Sequence, residues 1–270
     1  MTKQQQILNI PVMILCGGLG TRLHEATEVR PKPMVEIGGR PILWHLMKYY
    51  ASYGLDEFIL CLGYKGSVIK DYFLNYKSLN SDITLQLNQP DKVRYHGSNS
   101  EETWRVTLVE TGDRAQTGAR VARAAHYVDN DIFCLTYGDG LADIDIQALL
   151  RFHLSHGRVG TVTGVHPPGR FGEISLGTQG EVQQFNEKPQ VTDGIINGGF
   201  FVFNRSFFEK YLDVRDDLVL EQDPLQQLAK DGELMVYSHT GFWQPMDTYR
   251  ELKLLQGYWS DGKAPWKIWE

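Results

Sequence analysis

The chain has 270 residues, a formal net charge of −6, 42% hydrophobic residues and 22% charged residues. This length suits one large α/β domain, or a domain with an appended subdomain, and such a chain can bury a substantial core. The negative charge disfavours a nucleic-acid partner, because binding to a phosphate backbone usually requires a basic surface. Residues 1–10 lack the apolar core of a signal peptide, and no apolar run approaches the about 20 residues of a membrane span.

The cysteine content favours a reducing compartment. The three cysteines, Cys16, Cys61 and Cys134, each lie in an apolar, strand-like run, and the chain has no C-x-x-C motif. An odd number of dispersed cysteines is typical of reduced, buried thiols in cytosolic proteins. We therefore expect a cytoplasmic protein that contacts neither membranes nor nucleic acid.

Short apolar runs alternate with segments of helical periodicity through the first half of the chain. Such alternation indicates βαβ units and a parallel, doubly wound sheet. The polar, glycine-bearing segment 88–102 is predicted to be a mobile loop or lid. The predicted strands cover 11–15, 57–62, 82–87, 104–109 and 132–136, and the predicted helices cover 42–53, 65–76 and 119–128.

The pattern changes after residue 157, where strand-like segments follow one another with glycine turns between them. This indicates mixed or antiparallel strands that are added to the same sheet, rather than a separate domain. The predicted strands cover 159–165, 171–176, 181–187, 195–203 and 235–237, and the predicted helices cover 205–212, 222–230 and 248–259.

A glycine-rich loop follows the first predicted strand. Gly17, Gly18 and Gly20 lie within four positions, Arg22 comes next, and Lys32 stands between two prolines ten residues later. Glycines let backbone N–H groups approach a ligand closely and form an anion-binding concavity. The prolines restrict the backbone around the lysine, whose ammonium is a strong point charge toward phosphate. The segment therefore predicts a site for a nucleoside triphosphate.

Two better-known nucleotide motifs do not fit this loop. The Walker pattern G-x-x-x-x-G-K-[ST] is absent. The dinucleotide pattern G-x-G-x-x-G fails because Leu23 stands at its third glycine, which disfavours a dinucleotide oxidoreductase. A plain tight turn after a strand is the simpler alternative, and the neighbouring arginine and Pro-Lys-Pro argue against it.

Two aspartates are candidate metal ligands. Asp139 follows a predicted strand, and ligands of parallel sheets bind at the carboxyl ends of strands, although an aspartate between glycines is also a common turn residue. Asp247 stands before the last predicted helix, where it could cap that helix or supply the second carboxylate of a magnesium site. The sequence leaves both alternatives open.

Weaker clusters follow other strands. Glu187 and Lys188 precede a proline, and Asn197 precedes a glycine pair inside a predicted strand, a position that suggests close approach of a ligand. A solvated turn is the alternative for the first pair. Thr111 and Arg120 could bring a phosphate to the start of a helix.

Together these motifs resemble the nucleotidyltransferases that activate sugar 1-phosphates. L-C-G-G-L-G-T-R-L and R-P-K-P-M-V-E-I-G-G carry the likeness to the broad family, whereas T-Y-G-D-G-L-A-D, P-P-G-R-F-G, F-N-E-K-P, I-N-G-G-F-F-V and G-F-W-Q-P-M-D-T resemble its cytidylyl branch. The resemblance implies a Rossmann-like α/β fold with a central, mostly parallel mixed sheet flanked by helices. It also implies a single domain over 1–270, with a nucleotide-binding part at 11–157 and a sugar-phosphate-binding part with C-terminal helices at 158–270.

The resemblance further implies a reaction. CTP and glucose 1-phosphate would give CDP-glucose and pyrophosphate by Mg²⁺-assisted in-line attack, without a covalent intermediate, and the product would serve polysaccharide biosynthesis. The alternatives are the same reaction with UTP, dTTP or another sugar 1-phosphate, and a non-catalytic, ligand-sensing paralogue. The family also implies a homo-oligomer, with a hexamer as a candidate state. The C-terminal tryptophans Trp259, Trp266 and Trp269 could form its interface or pack on their own subunit.

The roles carried over by the resemblance fall into four sets. Arg22, Lys32 and Asp139 would be catalytic, and Asp139 and Asp247 would bind Mg²⁺. Glu187, Lys188 and Asn197 would contact the sugar phosphate. The nucleotide-binding set comprises Leu15, Gly17, Gly18, Leu19, Gly20, Thr21, Arg22, Lys32, Thr111, Arg120 and Gly138.

Overall fold

The computed structural model describes residues 10–18, 23, 27–96, 103–167, 173–176, 182–186 and 194–269, with the backbone alone for 173–176 and 182–186. The strands, in chain order, are β1 (Val12–Leu15), β2 (Glu36–Ile37), β3 (Arg40–Pro41), β4 (Glu57–Leu62), β5 (Asp82–Gln86), β6 (Gln89–His96), β7 (Arg105–Glu110), β8 (Ile132–Tyr137), β9 (Gly140–Ala142), β10 (Gly160–Val165), β11 (Glu173–Leu176), β12 (Val182–Asn186), β13 (Ile196–Asn204), β14 (Leu234–His239) and β15 (Trp243–Pro245).

Seven of these strands form one sheet in the order β14-β10-β13-β8-β1-β4-β7. β13 is antiparallel to both of its neighbours, and the other pairings are parallel. The sheet continues from the first half of the chain into the second through the β8–β13 pairing. The predicted mixed, mostly parallel sheet is therefore confirmed.

Helices cover both faces of the sheet. Every residue of β1 is buried, with Ile14 in the core on one face and Met13 in the core on the other. Fully burying an aliphatic side chain of this size contributes about 1.5–3 kcal/mol. One face packs against α1 (Ile42–Ser52), α2 (Gly66–Leu74), α5 (Ile146–His156) and α8 (Tyr249–Ser260); the other packs against α4 (Thr117–Ala124), α6 (Ser206–Tyr211) and α7 (Asp223–Lys230), and the short helix α3 (Tyr76–Leu79) follows α2. None of the helices in the described part of the chain combines the length and apolarity needed to cross a membrane.

The sequence reading missed α5, although its signals are present. Asp145 caps the helix by accepting the Ala148 backbone N–H at 2.9 Å, and Gly157, with φ 66°, ends it. The buried positions have helical spacing: Ile146, Leu149, Leu150 and His153.

The last turn of α5 carries two histidines, of which His153 is buried and His156 is partly exposed. The ring nitrogens of His153 lie 2.9 Å from Thr161 Oγ1 and 3.1 Å from Asn204 Oδ1, and His156 Nε2 lies 2.8 Å from the same Thr161 hydroxyl. Burial lowers the pKa of His153 to about 4, so this imidazole is neutral at physiological pH.

The segment 88–102 is not the predicted loop over its first part, because β6 pairs with β5 as a hairpin outside the main sheet. Tyr95 and Val93 lie opposite Ile83 and Leu85, so the apolar residues share one face. The second strand has only Val93 and Tyr95 as large apolar residues, which is too short an alternation to indicate a strand in the sequence. Residues 97–102 lie outside the described residues.

The C-terminal tryptophans pack on their own subunit. Trp266 is fully buried, with its ring centroid 5.7 Å from Phe242. The ring centroid of Trp259 lies 4.6 Å from that of His45 in α1. Trp269 makes an edge contact with Trp44, which precedes His45 in the same helix. Contacts within the subunit therefore hold this tail, as one of the two alternatives predicts.

The three cysteines are free and buried, as the sequence predicts. Burial raises the pKa of Cys61 and of Cys134 to about 12 and also raises that of Cys16. These thiols stay protonated near neutral pH and act as small apolar side chains of the core.

Candidate active site

The carboxyl ends of the central parallel strands bring the predicted site residues to one edge of the sheet. Leu15 ends β1, and the loop with Gly17 and Gly18 follows it. Thr111 comes directly after β7, and Asp139 comes two residues after the last residue of β8. Open α/β sheets bind their ligands at this edge.

A two-stranded ribbon brings the two aspartates together although they are far apart in sequence. Asp139 precedes β9 and Asp247 follows β15, and these two strands pair antiparallel with Gly140 opposite Pro245. The Met246 backbone N–H also donates to the Asp139 carbonyl at 2.8 Å. The antiparallel pairing places both carboxylates at the same end of the ribbon.

Both carboxylates bind the ammonium of Lys32. Its Nζ lies 2.6 Å from Asp139 Oδ2 and 2.5 Å from Asp247 Oδ1. The lysine begins a 3-10 turn, Lys32–Met34, which follows an extended proline and includes another. Burial alone would lower the pKa of Lys32, but the two carboxylates outweigh it and raise the pKa above its ordinary value.

Gly138 lets the strand ends approach one another. Its backbone N–H donates to the Leu15 carbonyl at 3.0 Å. A Cβ at this position would lie 2.9 Å from that oxygen and 3.2 Å from Cγ of Pro33. Any side chain would therefore push apart the end of β1, the lysine turn and the aspartate that follows.

Asp247 is not the cap of the last helix. Thr248 is the N-cap of α8 and forms a capping box with Glu251. The Glu251 carboxylate accepts the backbone N–H groups of Asp247 and Thr248 at 2.7 and 2.8 Å. The capping box fixes the backbone of Asp247 and leaves its side chain for Lys32, so the capping alternative is wrong.

The two carboxylates fit a divalent cation. They already converge on one positive group, and their side chains are 32% and 29% exposed, so a ligand can reach them. Magnesium is usually held by one or two carboxylates together with substrate phosphates. Within the described ranges, no cluster of three or more histidines, cysteines or acidic residues offers a complete protein-only site. Asp139 and Asp247 are the residues that would hold the ion.

The described part of the glycine loop has one packed and one open position. A Cβ on Gly17 would lie 2.2 Å from the Arg120 guanidinium carbon, whereas a Cβ on Gly18 would have no neighbour within 4 Å among the described residues. Packing therefore explains the glycine at position 17 only. The exposed Gly18 backbone is open to a ligand.

Arg120 fastens this loop to the neighbouring strand ends. Its Nη2 donates to the Gly17 carbonyl at 2.9 Å, and its Nη1 donates to the carbonyls of Leu62 and Gly112 at 2.9 and 2.8 Å and to the Thr111 hydroxyl at 2.9 Å. Arg120 is only 4% exposed, and burial lowers the pKa of its guanidinium. Any nucleotide contact that Arg120 makes would add to these bonds or replace them.

A glycine that the sequence reading missed completes this arrangement. A Cβ on Gly63, just after β4, would lie 2.2 Å from Nη1 of Arg120. The guanidinium is therefore sandwiched between Gly63 and Gly17. Its only signal in the sequence is a glycine at the end of an apolar run.

Asn197, a predicted sugar-phosphate contact, is held by groups that the sequence reading also missed. Its Oδ1 accepts the Gly199 backbone N–H at 2.8 Å, and its Nδ2 donates to the Tyr137 hydroxyl at 3.4 Å. The Tyr137 hydroxyl in turn donates to Glu221. Burial and the nearby Glu221 carboxylate raise the pKa of Tyr137, so its hydroxyl is protonated.

Six of the predicted site residues lie outside the described residues, and their roles stay predictions. They are Leu19, Gly20, Thr21, Arg22, Glu187 and Lys188.

Comparison with known protein families identifies the family to which this chain belongs. The model of the family described as Nucleotidyl transferase matches residues 11–264. The chain belongs to the nucleotidyl transferase family. Nucleotidyl transferases generally use a divalent metal ion, in keeping with the two converging carboxylates.

Relatives within the nucleotidyl transferase family align over nearly the whole chain. Glucose-1-phosphate cytidylyltransferase of Salmonella typhimurium is 52% identical over 96% of this chain and 99% of its own length. A probable glucose-1-phosphate cytidylyltransferase of Bacillus subtilis is 46% identical over 95% of this chain and 99% of its own length. The family inferred from the motifs is confirmed.

Solved structures support the fold. HddC from Yersinia pseudotuberculosis superposes with a TM-score of 0.67 at 24% identity, over 93% of this chain and 99% of that one. A putative glucose-1-phosphate thymidylyltransferase from Bacillus anthracis gives a TM-score of 0.66 at 17% identity, over 92% and 94% of the two chains. The Rossmann-like nucleotidyl transferase fold is therefore confirmed.

Proposed function

We propose that this chain condenses CTP and glucose 1-phosphate into CDP-glucose and pyrophosphate. The observation that carries the proposal is the centre in which Lys32 binds both Asp139 and Asp247 at the carboxyl edge of the sheet. The relative of 52% identity, whose name states this activity, supports the choice of substrates.

The chemistry needs positioning more than proton transfer. A sugar phosphate is largely a dianion near neutral pH, so its oxygen can attack the α-phosphorus of the nucleotide without a general base. The obstacle is the repulsion between two anions, which preorganised positive groups reduce. In this proposal Lys32, together with Arg22, holds the triphosphate and the departing pyrophosphate.

We assign the metal ion to Asp139 and Asp247 and propose that it is Mg²⁺. When bound, the ion would supply positive charge that offsets the repulsion between the two phosphates and would help to orient them. Lys32 already bridges these carboxylates. Its ammonium keeps them close together before substrates bind and is then close enough to contact a nucleotide phosphate.

We also propose a division of labour along the chain. Residues 11–157 carry the nucleotide loop, and residues 158–270 carry Glu187, Lys188 and Asn197 for the sugar phosphate. The attacking phosphate would be held by Lys188. Because β13 lies directly beside β8, Asn197 at the start of β13 comes to the same edge as the end of β8, which supports adjacent subsites.

The test is a pyrophosphate-release assay with Mg²⁺, each nucleoside triphosphate and a panel of sugar 1-phosphates. We expect the highest kcat/KM for CTP with glucose 1-phosphate. A preference for UTP, dTTP or another sugar would replace the substrate assignment with the corresponding alternative. No release with any pair would favour the non-catalytic paralogue.

A second assay tests direct transfer. Labelled pyrophosphate should enter CTP only when CDP-glucose is present. Exchange into CTP with no sugar nucleotide in the mixture would reveal a covalent nucleotidyl-enzyme and contradict the proposed mechanism.

We further propose a homo-oligomer, with a hexamer as the first state to test. The β5–β6 hairpin exposes apolar side chains: Ile83 and Leu85 of β5 are 41% and 50% exposed, and Leu87 of the turn is 93% exposed. Isolated hairpins are marginally stable in water, so a partner surface would stabilise this one. Sedimentation analysis should give a mass several times that of one chain, and a monomer would contradict the proposal.

A groove beside β7, the edge strand of the main sheet, is a candidate surface for the hairpin of another subunit. The groove has a volume of about 300 Å³ and is lined by Phe73, Leu74, Tyr76, Trp104, Val106 and Leu108.

We propose a cytoplasmic location, supported by the free, buried thiols of Cys16, Cys61 and Cys134. Cell fractionation with an antibody to the chain tests this. Recovery with secreted or membrane-bound material would contradict it.

A further inference from the structure

One polar network links the predicted sugar-phosphate subsite to the nucleotide side of the site. It starts at Asn197, whose Oδ1 is bound to the Gly199 N–H and whose Nδ2 donates to the Tyr137 hydroxyl at 3.4 Å. Both ends of the amide therefore have a partner. The side-chain oxygen and nitrogen cannot exchange places without losing both bonds.

The Tyr137 ring is fitted against a glycine. Gly199 has φ +79°, and a Cβ there would lie 2.4 Å from the Cδ2 atom of Tyr137. The ring thus packs on backbone that only glycine can provide in this conformation. This contact fixes the tyrosine hydroxyl beside Asn197. Tyr137 is the last residue of β8 and stands two positions before Asp139.

Glu221 is the second hydrogen-bond partner of the Tyr137 hydroxyl and connects it to α4. Its Oε1 accepts the Tyr137 O–H, and its Oε2 accepts the Thr117 hydroxyl at 2.7 Å. Thr117 is the first residue of α4, and its hydroxyl also accepts the Leu220 backbone N–H at 2.9 Å. Each carboxylate oxygen of Glu221 therefore has a donor.

Backbone bonds hold the Glu221 segment in place. The Gln116 N–H donates to the Asp216 carbonyl at 2.9 Å, and the Ala119 N–H donates to the Leu218 carbonyl at 3.1 Å. The segment that ends at Glu221 is therefore docked on the first turn of α4. One turn further along, the same helix carries Arg120, which binds the Gly17 carbonyl.

We propose that Tyr137 and Glu221 are positioning residues that hold the Asn197 amide in the sugar-phosphate subsite and connect that subsite to the helix carrying Arg120. This inference rests on the proposed function, because it assigns Asn197 to the sugar phosphate. Neither residue needs to touch the reacting atoms. Their effect reaches the substrate through the amide that they orient.

Tyr137→Phe tests the inference most directly, since it keeps the ring against Gly199 and removes only the hydroxyl. Steady-state pyrophosphate release is measured with glucose 1-phosphate varied at saturating CTP, and then with CTP varied. We expect the KM for glucose 1-phosphate to rise about tenfold, the scale of one hydrogen bond in a network with a charged group. The KM for CTP should stay near its wild-type value.

Two further variants separate positioning from general loss of structure. Glu221→Gln keeps the shape of the side chain but removes its charge, and it should raise the same KM in the same direction. In the double variant with Asn197→Ala, the Tyr137→Phe change should add little, because residues that act as a unit are not additive. The matched control is Tyr211→Phe, whose hydroxyl donates to Asp231 at 3.0 Å away from the site; it should leave both KM values unchanged.

The outcomes are distinguishable. An unchanged KM for glucose 1-phosphate in Tyr137→Phe, or equal rises in both KM values, would overturn the positioning role. Fully additive effects with Asn197→Ala would overturn the connection. If Tyr137→Phe melts well below the wild type, Glu221→Gln decides the question. A wild-type protein that releases no pyrophosphate with any substrate pair would refute the proposed function itself, independently of these variants.

Discussion

Two cations at the same edge of the sheet, the partly buried Lys32 and the buried Arg120, have opposite surroundings. Lys32 is bound by the carboxylates of Asp139 and Asp247, which raise its pKa. Arg120 donates to carbonyl and hydroxyl oxygens, and burial lowers its pKa. A lysine paired with carboxylates can exchange partners when phosphate and metal arrive. An arginine that donates mainly to backbone oxygens serves to hold the loops in place.

The difference follows from the side chains themselves. Lys32 carries one compact charge, which suits ion pairs that are partly open to solvent. The planar guanidinium of Arg120 presents several donors at fixed angles, and Gly17 and Gly63 leave room for it on two sides. We therefore expect loss of charge around Lys32 to affect turnover, and loss of Arg120 to affect stability. Four experiments test this contrast.

The largest effect is expected for the carboxylates. Asp247→Asn should reduce kcat more than about 10³-fold, because the change removes one of the two carboxylate charges that we propose bind the metal ion. Pyrophosphate release at saturating substrates measures this. Asp145→Asn, which alters the N-cap of α5, is the matched control and should change only the melting temperature. Near-normal turnover of Asp247→Asn would remove this residue from the metal site.

Lys32→Ala should lower turnover about 10²–10³-fold, the scale for one preorganised transition-state contact. Its melting temperature should also rise more on addition of Mg²⁺ than that of the wild type, since two carboxylates without their lysine repel each other. Lys70→Ala, which breaks an ion pair with Glu110 at 2.5 Å, is the control. A near-normal rate of Lys32→Ala would contradict its role.

Arg120→Met should lower the free energy of unfolding by about 2–4 kcal/mol, because several buried carbonyl oxygens lose their donors. Denaturant titration at fixed pH measures this. Arg123→Met, on the same helix, removes a more exposed arginine that also bonds to Thr111 and should cost less. A stable Arg120→Met protein that has lost only CTP affinity would show that Arg120 acts on the ligand and not on the loops.

Lowering the pH should change the protonation of the buried His153 but not that of Arg120, although both side chains are surrounded by polar groups. Arg120 keeps its charge, whereas His153, among hydroxyl and amide oxygens, is neutral with a pKa of about 4. A lowered histidine pKa means that the unfolded chain binds the extra proton, so stability falls as the pH drops from about 6.5 toward 4. The slope assigned to this site is about 1.4 kcal/mol per pH unit. The difference in slope between wild type and His153→Gln measures it, and identical slopes would contradict the assignment.

Much of the fold was readable from the sequence because its signals are local. Apolar runs such as 57–62 and the spacing of helix 42–53 match the observed elements closely. The hairpin strand Gln89–His96 was missed because Val93 and Tyr95 are its only large apolar residues, which is too short an alternation to indicate a strand. Helix Ile146–His156 was missed even though its cap, periodicity and terminal glycine are all present.

The sequence alone determined the residue types of the site: a glycine loop, a lysine between prolines, and aspartates after strands. It could not decide that Asp139 and Asp247 share one lysine, because a ribbon between distant segments creates that contact. It also could not reveal Gly63 or the bond between Tyr137 and Glu221. Local patterns record what each segment prefers, whereas convergence across the sheet edge depends on how the segments pack.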